Sequence, residues 1–284
     1  MEHHAVESVR EIIDYIETHL DEKLNLDMAA FAMHYSKYHL HHMFTDMVGI
    51  TLHDYIRRRQ LTEAARLLVF TEKPIIEAAL IAGYESQQAF TGAFKSMYKK
   101  TPREYRENKI FYPLQSKLVL HDIPPAPKAA DFRIAYAAGG DISVWMDFVS
   151  LVIDGFPCFD EEKHLKWLRK SVERRQAFIM RDKEVVIGAA ACSRAMGRID
   201  FLGVHPQYRQ SGAIQAFLDF IACNILEGQI SITTFREGDK ADNGQRAAYK
   251  RLGFAEAELL TEFGYSTQRL VLRNSPETVA DNRP

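Results

Sequence analysis

Two stretches of the sequence carry polar side chains on what would be the exposed face of a helix. Apolar residues at helical spacing predict the buried faces, Leu40, Phe44 and Met47 in the first stretch and Phe90, Phe94 and Met97 in the second. The outward-facing side chains are then Lys37, Tyr38, His41, His42 and Thr45, and Gln87, Gln88, Thr91 and Lys95. Gln can bond adenine at two points, Lys can reach guanine or phosphate, and Tyr and Thr can pack on a thymine methyl group. These residue types predict contacts with double-stranded DNA, and the alternative is two solvated faces of a helical bundle.

Both stretches belong to a unit that occurs twice, at an offset of fifty residues. The matching residues are Ser36 with Ser86, Leu40 with Phe90, Phe44 with Phe94, Thr51 with Thr101, and Tyr55 with Tyr105. Each unit comprises a short Ala-rich helix, a turn, a second helix capped by Ser, and a supporting helix that starts at Thr. Two short helices joined by a tight turn are typical of the helix-turn-helix, whose second helix enters the major groove of DNA. The sequence therefore predicts an all-α N-terminal domain with two helix-turn-helix units.

Four motifs within residues 6–108 extend this pattern: YSKYHLHHMF at 35–44, PIIEAA at 74–79, GYESQQAFT at 83–91 and TPREY at 101–105. With them the segment resembles the DNA-binding domain of the AraC-family transcription activators, in particular the Rob, SoxS and MarA branch. The resemblance implies RNA polymerase as a further partner. It also implies that Tyr38, His41 and His42, and the residues around Gln87, Gln88, Ala89 and Gly92, approach the bases. That branch usually has Trp at the position of Tyr38, Gln-Arg at His41-His42, and often Arg at Gly92. The resemblance therefore implies a different target sequence.

A second chemical signal follows the predicted strand Phe201-Leu202-Gly203-Val204, where the segment HPQYRQSG (205–212) leads into an apolar helix. A loop with small residues that opens a helix presents unpaired backbone N–H groups and the positive end of the helix dipole. Both favour phosphate oxygens. The spacing predicts a phosphate-binding loop, and the alternative is an ordinary strand-to-helix turn.

This loop motif and a second one, Asn243 with AAYKRLGF at 247–254, make residues 131–273 similar to the GNAT acetyltransferase superfamily. The resemblance implies that acetyl-CoA is bound, as ligand or cosubstrate. The main chain of Val204 would contact the pantetheine arm and the acetyl carbonyl, and Asn243 would contact the cofactor arm. The pyrophosphate is assigned to the backbone amides of Arg209, Gln210, Ser211, Gly212 and Ala213. One departure is Ile214, since the superfamily usually has Gly or Ala there.

Two side chains in this half are candidates for catalysis. The resemblance implies that Tyr249 protonates the leaving thiolate, a general-acid role that suits a phenol next to sulfur. The alternative is a packing aromatic residue on a helix. Several members of the superfamily carry a catalytic Glu where this chain has Arg198. Asp200 is then the carboxylate on that strand that could act as a base, or it is an exposed strand acid.

Composition and the order of predicted elements divide the chain into domains. A length of 284 residues with 46% hydrophobic and 26% charged residues favours two globular domains. A cluster of prolines at 113, 124, 125 and 127 predicts a linker over 111–130, between a domain at 1–110 and another at 131–284. The second domain is predicted to alternate seven strands with four helices. That pattern indicates an α/β or α+β fold with a mixed sheet covered on both faces.

The net charge of −2 conceals a segregation of charge along the chain. Residues 1–30 hold eight acidic residues against Arg10 and Lys23, whereas residues 31–110 hold twelve basic residues against eight acidic ones. A local basic excess is compatible with contact to nucleic acid. No apolar run approaches the roughly 20 residues of a membrane span, and the first residues lack a secretory pattern, so we expect a cytoplasmic protein without membrane contact.

Neither the cysteines nor the histidines predict a metal site. Cys158, Cys192 and Cys223 are more than thirty residues apart, which fits neither a disulfide framework nor a close-spaced zinc motif, so we expect core residues. The histidines at 39, 41 and 42 spread around their helix, and no third ligand is marked beside the pair at 39 and 42. The sequence therefore predicts no metal.

These observations support three hypotheses for function. The leading one is a transcription regulator whose C-terminal domain binds acetyl-CoA as a sensor, as an N-acetyltransferase, or as both. The second makes the enzyme primary, with a small amine or a protein lysine as acceptor and the DNA-binding domain as an accessory. The third is a protein-interaction module in which both sites are degenerate.

Overall fold

The computed structural model of the chain describes residues 2–22, 24, 26–122, 132–152, 160–224, 229–262 and 264–273. The chain forms two units, a helical unit built mainly from the first 125 residues and a sheet unit built mainly from the rest. In the helical unit the described elements are α1 (Glu2–Thr18), α2 (Leu26–Ala32), α3 (Lys37–Val48), α4 (Leu52–Phe70), α5 (Ile75–Ile81), α6 (Gln87–Tyr98) and α7 (Pro102–Asn108). The predicted all-α domain with two helix-turn-helix units, α2–α3 and α5–α6, is confirmed.

Local sequence signals set where these helices begin. The side chains of Ser36 and Ser86 each accept a hydrogen bond from the backbone N–H three residues further on, at 3.2 Å in both cases. Thr101 and Glu104 form a reciprocal capping box at the start of α7. Such caps satisfy N–H groups that have no partner inside the helix. The predicted starts of α3, α6 and α7 are therefore confirmed.

The turn inside each helix-turn-helix has the same backbone conformation. His34 and Gly83 occupy corresponding positions, with φ of 57° and 75°, in the left-handed region. Glycine enters this region without strain, whereas His34 does so at some cost. The N–H that follows bonds back to the first helix in both copies, from Tyr35 to Ala30 O at 3.0 Å and from Tyr84 to Ala79 O at 2.9 Å. The repeat is therefore one of geometry as well as of sequence.

The long helix α4 contributes to both hydrophobic cores of the helical unit. Its first half packs with α1 and α3 in a first core that includes Ile12, Ile16, Leu40, Phe44, Leu52, Tyr55 and Ile56. Its second half packs with α5, α6 and α7 in a second core that includes Leu61, Leu68, Ala79, Phe90, Phe94, Tyr98 and Tyr105. The predicted buried face of α6 is confirmed. On α3, Val48 is buried and Met47 only half-buried.

A buried ion pair lies at the middle of α4, between these two cores. Arg59 donates to the two carboxylate oxygens of Glu17 at 2.7 and 2.6 Å and to the carbonyl oxygen of Gln115 at 3.1 Å. The hydroxyl of Tyr55 also donates to Glu17, at 2.8 Å. Burial alone would lower the pKa of Arg59, but the hydrogen bond and charge of Glu17 outweigh it and raise that pKa. Arg59 therefore remains charged and joins α1 and α4 to the segment after α7.

The first part of the predicted linker is packed on the helices. Tyr112 and Leu114 are buried in the second core, and Leu118 and Leu120 are buried in the first. The N–H of Leu114 donates to the hydroxyl of Thr62 at 3.0 Å. Residues 111–122 therefore belong to the helical unit, which corrects the start of the linker predicted over 111–130. Residues 123–130 lie outside the described residues.

The sheet unit contains, in its described part, the seven strands and four helices that the sequence predicts. They are β1 (Arg133–Tyr136), α8 (Ile142–Val152), α9 (Glu161–Glu173), β2 (Ala177–Asp182), β3 (Val185–Ser193), β4 (Arg198–Val204), α10 (Ala213–Asn224), β5 (Gln229–Phe235), α11 (Gln245–Arg251), β6 (Ala255–Glu262) and β7 (Tyr265–Arg273). The strands lie in the order β1-β2-β3-β4-β5-β7-β6. The pair β4–β5 is parallel and the other pairs are antiparallel. The predicted mixed sheet is confirmed.

Two glycines show that helices cover both faces of this sheet. Gly188 pairs with Val204, and a Cβ atom at Gly188 would lie 2.5 Å from the ring of Phe217 on α10. A Cβ atom at Gly203, the neighbour of Val204, would lie 2.8 Å from Val152 on α8. Successive residues of a strand point to opposite faces, so α10 and α8 lie on opposite sides. Both helices approach the strands so closely that only glycine fits at these positions.

The cysteines only partly follow the prediction that they are core residues. Cys192 is buried on β3, where burial raises the pKa of its thiol to about 12. Cys223 is exposed near the end of α10, so the prediction is wrong there. Its position falls on the solvent side of an amphipathic helix. Cys158 lies outside the described residues.

No helix in the described ranges is long and apolar enough to cross a membrane.

The buried ion pair generates a prediction on stability. Replacing Arg59 by Ala leaves the Glu17 carboxylate buried without its cation, so we expect a loss of about 3–5 kcal/mol in the free energy of unfolding. Urea unfolding followed by circular dichroism measures it. Trp145 and Trp167 both lie in the sheet unit. In Arg59→Ala, the circular dichroism signal of the helical unit should therefore be lost at a lower urea concentration than the one at which Trp fluorescence changes. The control is Arg66→Ala, which breaks a pair with Glu63 at a half-exposed arginine and should cost less than about 1 kcal/mol. Equal losses in the two variants would contradict the prediction.

Candidate nucleic-acid interface and candidate phosphate-binding loop

The predicted contact residues of the first helix-turn-helix lie on the outer face of α3. Lys37, Tyr38 and His42 are exposed, and His41 is half-buried. Tyr38 is the most prominent, with 76% of its surface exposed. The opposite face, Leu40, Phe44 and Val48, is buried in the first core. Helix periodicity therefore placed these polar side chains correctly on the free face.

Side chains on α3 contact one another as well as solvent. The rings of Tyr38 and His42 have centroids 4.2 Å apart, and those of His41 and His42 are 5.6 Å apart. Lys37 pairs with Asp27 of α2 at 2.6 Å, with both side chains exposed. An exposed pair of this kind is weak, so the lysine can exchange Asp27 for another anion.

The second helix-turn-helix presents a different chemistry on α6. Gln87, Gln88 and Lys95 are exposed, and Thr91 is half-buried. A Cβ atom added at Gly92 would meet no atom within 4 Å. The position where related sequences often have Arg is therefore open, and glycine is not required there by packing.

Across the residues that the structure describes, no three His, Cys, Asp or Glu side chains are grouped so that they could hold a metal ion. The imidazoles of α3 make ring contacts, between Tyr35 and His39 at 5.3 Å and between Tyr38 and His42.

In the sheet unit, the candidate phosphate-binding loop connects β4 to α10. Gly212 has φ of 86°, in the left-handed region, immediately before the helix begins at Ala213. The hydroxyl of Ser211 donates to the carbonyl oxygen of Tyr208 at 2.7 Å and holds the loop closed. The first N–H groups of a helix have no partner within it, so the opening of α10 offers donors to an anion. Arg209 is half-buried beside this opening.

A buried contact beneath the loop was not predicted from the sequence. The hydroxyl of Tyr208 donates to the carboxylate of Asp182 at 3.0 Å, and both residues are buried. Burial, together with the hydrogen bond and charge of Asp182, raises the pKa of Tyr208. Asp182 is the last residue of β2. Its position at the end of a strand does not reveal from the sequence that its partner is Tyr208, 26 residues away.

The sheet opens beside the same loop. In the described part of the chain, β4 and β5 pair only at Arg198 and Ser231, so β4 has no strand partner on this side as it runs towards the loop. On its other side, Ala191 pairs with Phe201 and Cys192 with Ile199. Asp200 is therefore the extra residue of a β-bulge, a device that redirects side chains next to functional sites.

The two candidate catalytic residues have different surroundings. Asp200 accepts a hydrogen bond from Arg198 at 2.6 Å, so Arg198 competes with any substrate for that carboxylate. Tyr249 on α11 is 3% exposed. Burial raises the pKa of its phenol, the charge of Arg209 lowers it and that of Asp242 raises it, with a net rise. Tyr249 belongs to the same hydrophobic core as Tyr208 and Ala213, which flank the loop.

Asn243 stands just before α11. It is half-buried, and the next residue, Gly244, has φ of 94°. The N–H of Gly244 donates to Asp242 at 3.0 Å. This tight turn brings the predicted cofactor contact Asn243 to the start of the helix that carries Tyr249.

Comparison with known proteins identifies the helical unit. A model of a helix-turn-helix domain family matches residues 29–108. The regulatory protein SoxS of Escherichia coli K12 is 42% identical over 98 residues, which are 34% of this chain and 92% of SoxS. The transcriptional regulator Rob of Salmonella typhimurium is 42% identical over 100 residues, which are 35% of each chain. The chain thus spans about a third of the length of Rob.

The sheet unit has more distant counterparts among solved structures. The ribosomal-protein-S18-alanine N-acetyltransferase of Escherichia coli is 17% identical, with a TM-score of 0.40, over 54% of this chain and 99% of that protein. The helical unit has the far stronger match, since the similarity to SoxS covers nearly all of that protein. Through this unit, with its two helix-turn-helix motifs, the chain belongs to the AraC-type family of helix-turn-helix proteins.

Proposed function

We propose that the chain is a transcription regulator that binds double-stranded DNA through α3 and α6. We further propose that its sheet unit binds acetyl-CoA, as a sensor, as an N-acetyltransferase, or as both. The observation that supports DNA binding is that the second helix of each helix-turn-helix, α3 and α6, has an exposed polar face. Two recognition helices in one chain can occupy successive turns of the major groove.

The side chains on α6 suit direct contact with bases. Gln87 and Gln88 are exposed in the first turn of the helix, and the N-terminal residues of a recognition helix are those that reach base edges. An amide group can donate to and accept from adenine at once. Lys95, two turns further on, suits a backbone phosphate.

The geometry of the loop supports acetyl-CoA binding. A pyrophosphate needs several N–H donors at close range, and the left-handed Gly212 before α10 provides a backbone without a Cβ atom at that point. The unpaired side of β4 offers main-chain groups to an extended ligand that ends near Val204. These two features meet at one end of β4, as the binding of a long ligand with a phosphate group requires.

The enzyme hypothesis is supported by Tyr249. Its phenol is protonated at neutral pH, as a general acid must be, and it lies buried on α11. The rise in its pKa that burial causes makes it a weaker acid than a phenol with a pKa near neutral pH. Asp200 is less suited to act as the base because Arg198 already holds its carboxylate. Cofactor binding therefore has stronger support than turnover.

The first prediction of this function concerns base recognition. Replacing Gln88 by Ala removes the amide from an exposed position, so we expect a loss of about 1–3 kcal/mol on a selected DNA duplex and little loss on random DNA. Fluorescence anisotropy with both duplexes, at several salt concentrations, measures it. The comparison variant is Lys37→Ala, which should weaken both duplexes similarly and reduce the salt slope by about 1. Equal losses of Gln88→Ala on the two duplexes would remove Gln88 from base recognition.

The second prediction concerns the cofactor and tests whether it regulates DNA binding. Gly212→Asp adds a side chain and a negative charge at the loop, so acetyl-CoA binding measured by calorimetry should be lost. The matched control is Gly264→Asp, at another left-handed glycine with open space around it, which should keep acetyl-CoA binding.

Gel shifts of the original chain with and without acetyl-CoA then test whether the cofactor regulates DNA binding. Gly212→Asp should remove any difference in DNA affinity between the two conditions. Absence of acetyl-CoA binding by the original chain would refute the cofactor proposal.

The third prediction separates a transferase from a sensor. Tyr249→Phe removes only the hydroxyl, so acetyl-CoA binding should persist while the transfer rate falls by about a hundredfold or more, as expected for a lost general acid. A thiol-release assay over a panel of amines and lysine peptides measures the rate. Unchanged turnover in Tyr249→Phe would refute the acid assignment and leave the sensor hypothesis intact.

A further inference from the structure

The two recognition helices differ in whether their exposed faces can change charge near neutral pH. The face of α3 carries His39, His41 and His42, whereas the face of α6 carries Gln87, Gln88, Thr91 and Lys95. Histidine is the side chain that ordinarily changes charge between about pH 5 and 8. Of these two faces, the face of α3 is therefore the one that carries imidazole groups.

The imidazoles of His41 and His42 are available for a ligand. Within the described part of the chain, neither ring has a hydrogen bond or an ion pair with another side chain. Their contacts are aromatic, between His41 and His42 and between His42 and Tyr38. The close approach of Tyr38, at 4.2 Å between ring centroids, limits how the His42 ring can turn. Tyr38 therefore acts as a positioning residue for His42.

The surrounding charges do not supply these imidazoles with an anion. On α3 itself, Asp46 lies one turn after His42 but forms no ion pair with it in the described structure. Helices α1, α2 and α4 pack on the opposite, apolar face of α3. Among the side chains that the structure describes, the charged and titratable ones on α3 and on the helices packed against it are Glu7, Arg10, Glu11, Asp14, Tyr15, Glu17, Asp27, Lys37, Tyr38, His39, His41, His42, Asp46, His53, Asp54, Tyr55, Arg57, Arg58, Arg59, Glu63 and Arg66.

Bound DNA changes this situation because its phosphates place negative charge beside the helix face. A negative charge favours the protonated imidazole, which donates from both ring nitrogens and can bond a phosphate oxygen or the acceptor edge of guanine. We infer that α3 contacts its half of the DNA site through the imidazolium forms of His41 and His42, so that binding at this helix takes up protons; this deepens, and rests on, the proposed DNA-binding function.

The sign of the pH effect follows from proton linkage. If the complex holds more protons than the free chain and free DNA, affinity is highest at low pH and falls as pH rises. For each imidazole that is protonated in the complex, we expect the dissociation constant to rise by about tenfold between about pH 6 and 8. The dependence should reside in the half-site that α3 contacts.

The test measures affinity for a selected duplex by fluorescence anisotropy, with the full chain, between about pH 6 and 8 at constant ionic strength. The variants are His41→Gln and His42→Gln, alone and combined, because Gln keeps a hydrogen-bonding group without a titratable charge. We expect each single variant to flatten the pH dependence and the double variant to abolish it. The matched control is His53→Gln on α4, an exposed histidine outside the α3 face, which should keep the full dependence.

A second measurement serves if the double variant binds DNA too weakly. Calorimetry of the original chain in buffers of different ionisation enthalpy counts the protons taken up per complex, and the expected count is between one and two at neutral pH. Replacing the DNA half-site that α6 contacts by unrelated sequence should leave the number of protons taken up unchanged. Replacing the half-site that α3 contacts should abolish the proton uptake. Affinity that is independent of pH, or a slope that persists in the double variant, would overturn the inference alone. A folded chain that binds no selected duplex at any pH would overturn the DNA-binding function with it.

Discussion

The buried ion pair of Arg59 with Glu17 is the contact on which the helical unit depends. It lies where the two cores meet on α4, and it also fixes the segment after α7 through the carbonyl of Gln115. A charged pair is a costly way to fill such a position, since both ions lose their hydration. Its benefit is geometric, because the five N–H donors of the planar guanidinium point in fixed directions and so require their acceptors in one arrangement. The spacing between α3 and α6, which any DNA duplex must match, is transmitted through this one helix.

On that common frame the two recognition helices have diverged in chemistry. The caps at Ser36 and Ser86 and the left-handed turns at His34 and Gly83 are geometrically equivalent, so each helix leaves its first turn equally free. The side chains there are not equivalent, since α3 offers rings and imidazoles and α6 offers amides. A duplicated scaffold with two different faces suits an asymmetric DNA site bound by a single chain.

Sequence reasoning succeeded where the determining interaction is local. Capping residues act within three positions and helix periodicity acts within one turn, so the starts of α3, α6 and α7 and the exposure of Gln87 and Gln88 were predictable. It failed where a contact joins distant segments. The prolines around 113–127 predicted a linker, but Leu118 and Leu120 fill a core formed mainly by α1, α3 and α4. The bond between Tyr208 and Asp182, and the bulge at Asp200, likewise depend on strand register that no local pattern reveals.

The proposed roles of the sheet unit, sensor or enzyme, make different thermodynamic demands. A sensor must couple its ligand to DNA, and coupling between two binding equilibria is reciprocal: if acetyl-CoA changes DNA affinity by some factor, DNA changes acetyl-CoA affinity by the same factor. A transferase needs no such coupling, since its loop would only have to hold the cofactor while the proposed acid, Tyr249, delivered a proton. The proposed phosphate-binding loop around Gly212 would serve either role equally, because both require phosphate binding. What separates the two roles is therefore the coupling free energy between ligand binding at this loop and DNA binding at α3 and α6. A ligand with equal affinity for two states of the chain could not regulate DNA binding, however tightly it bound.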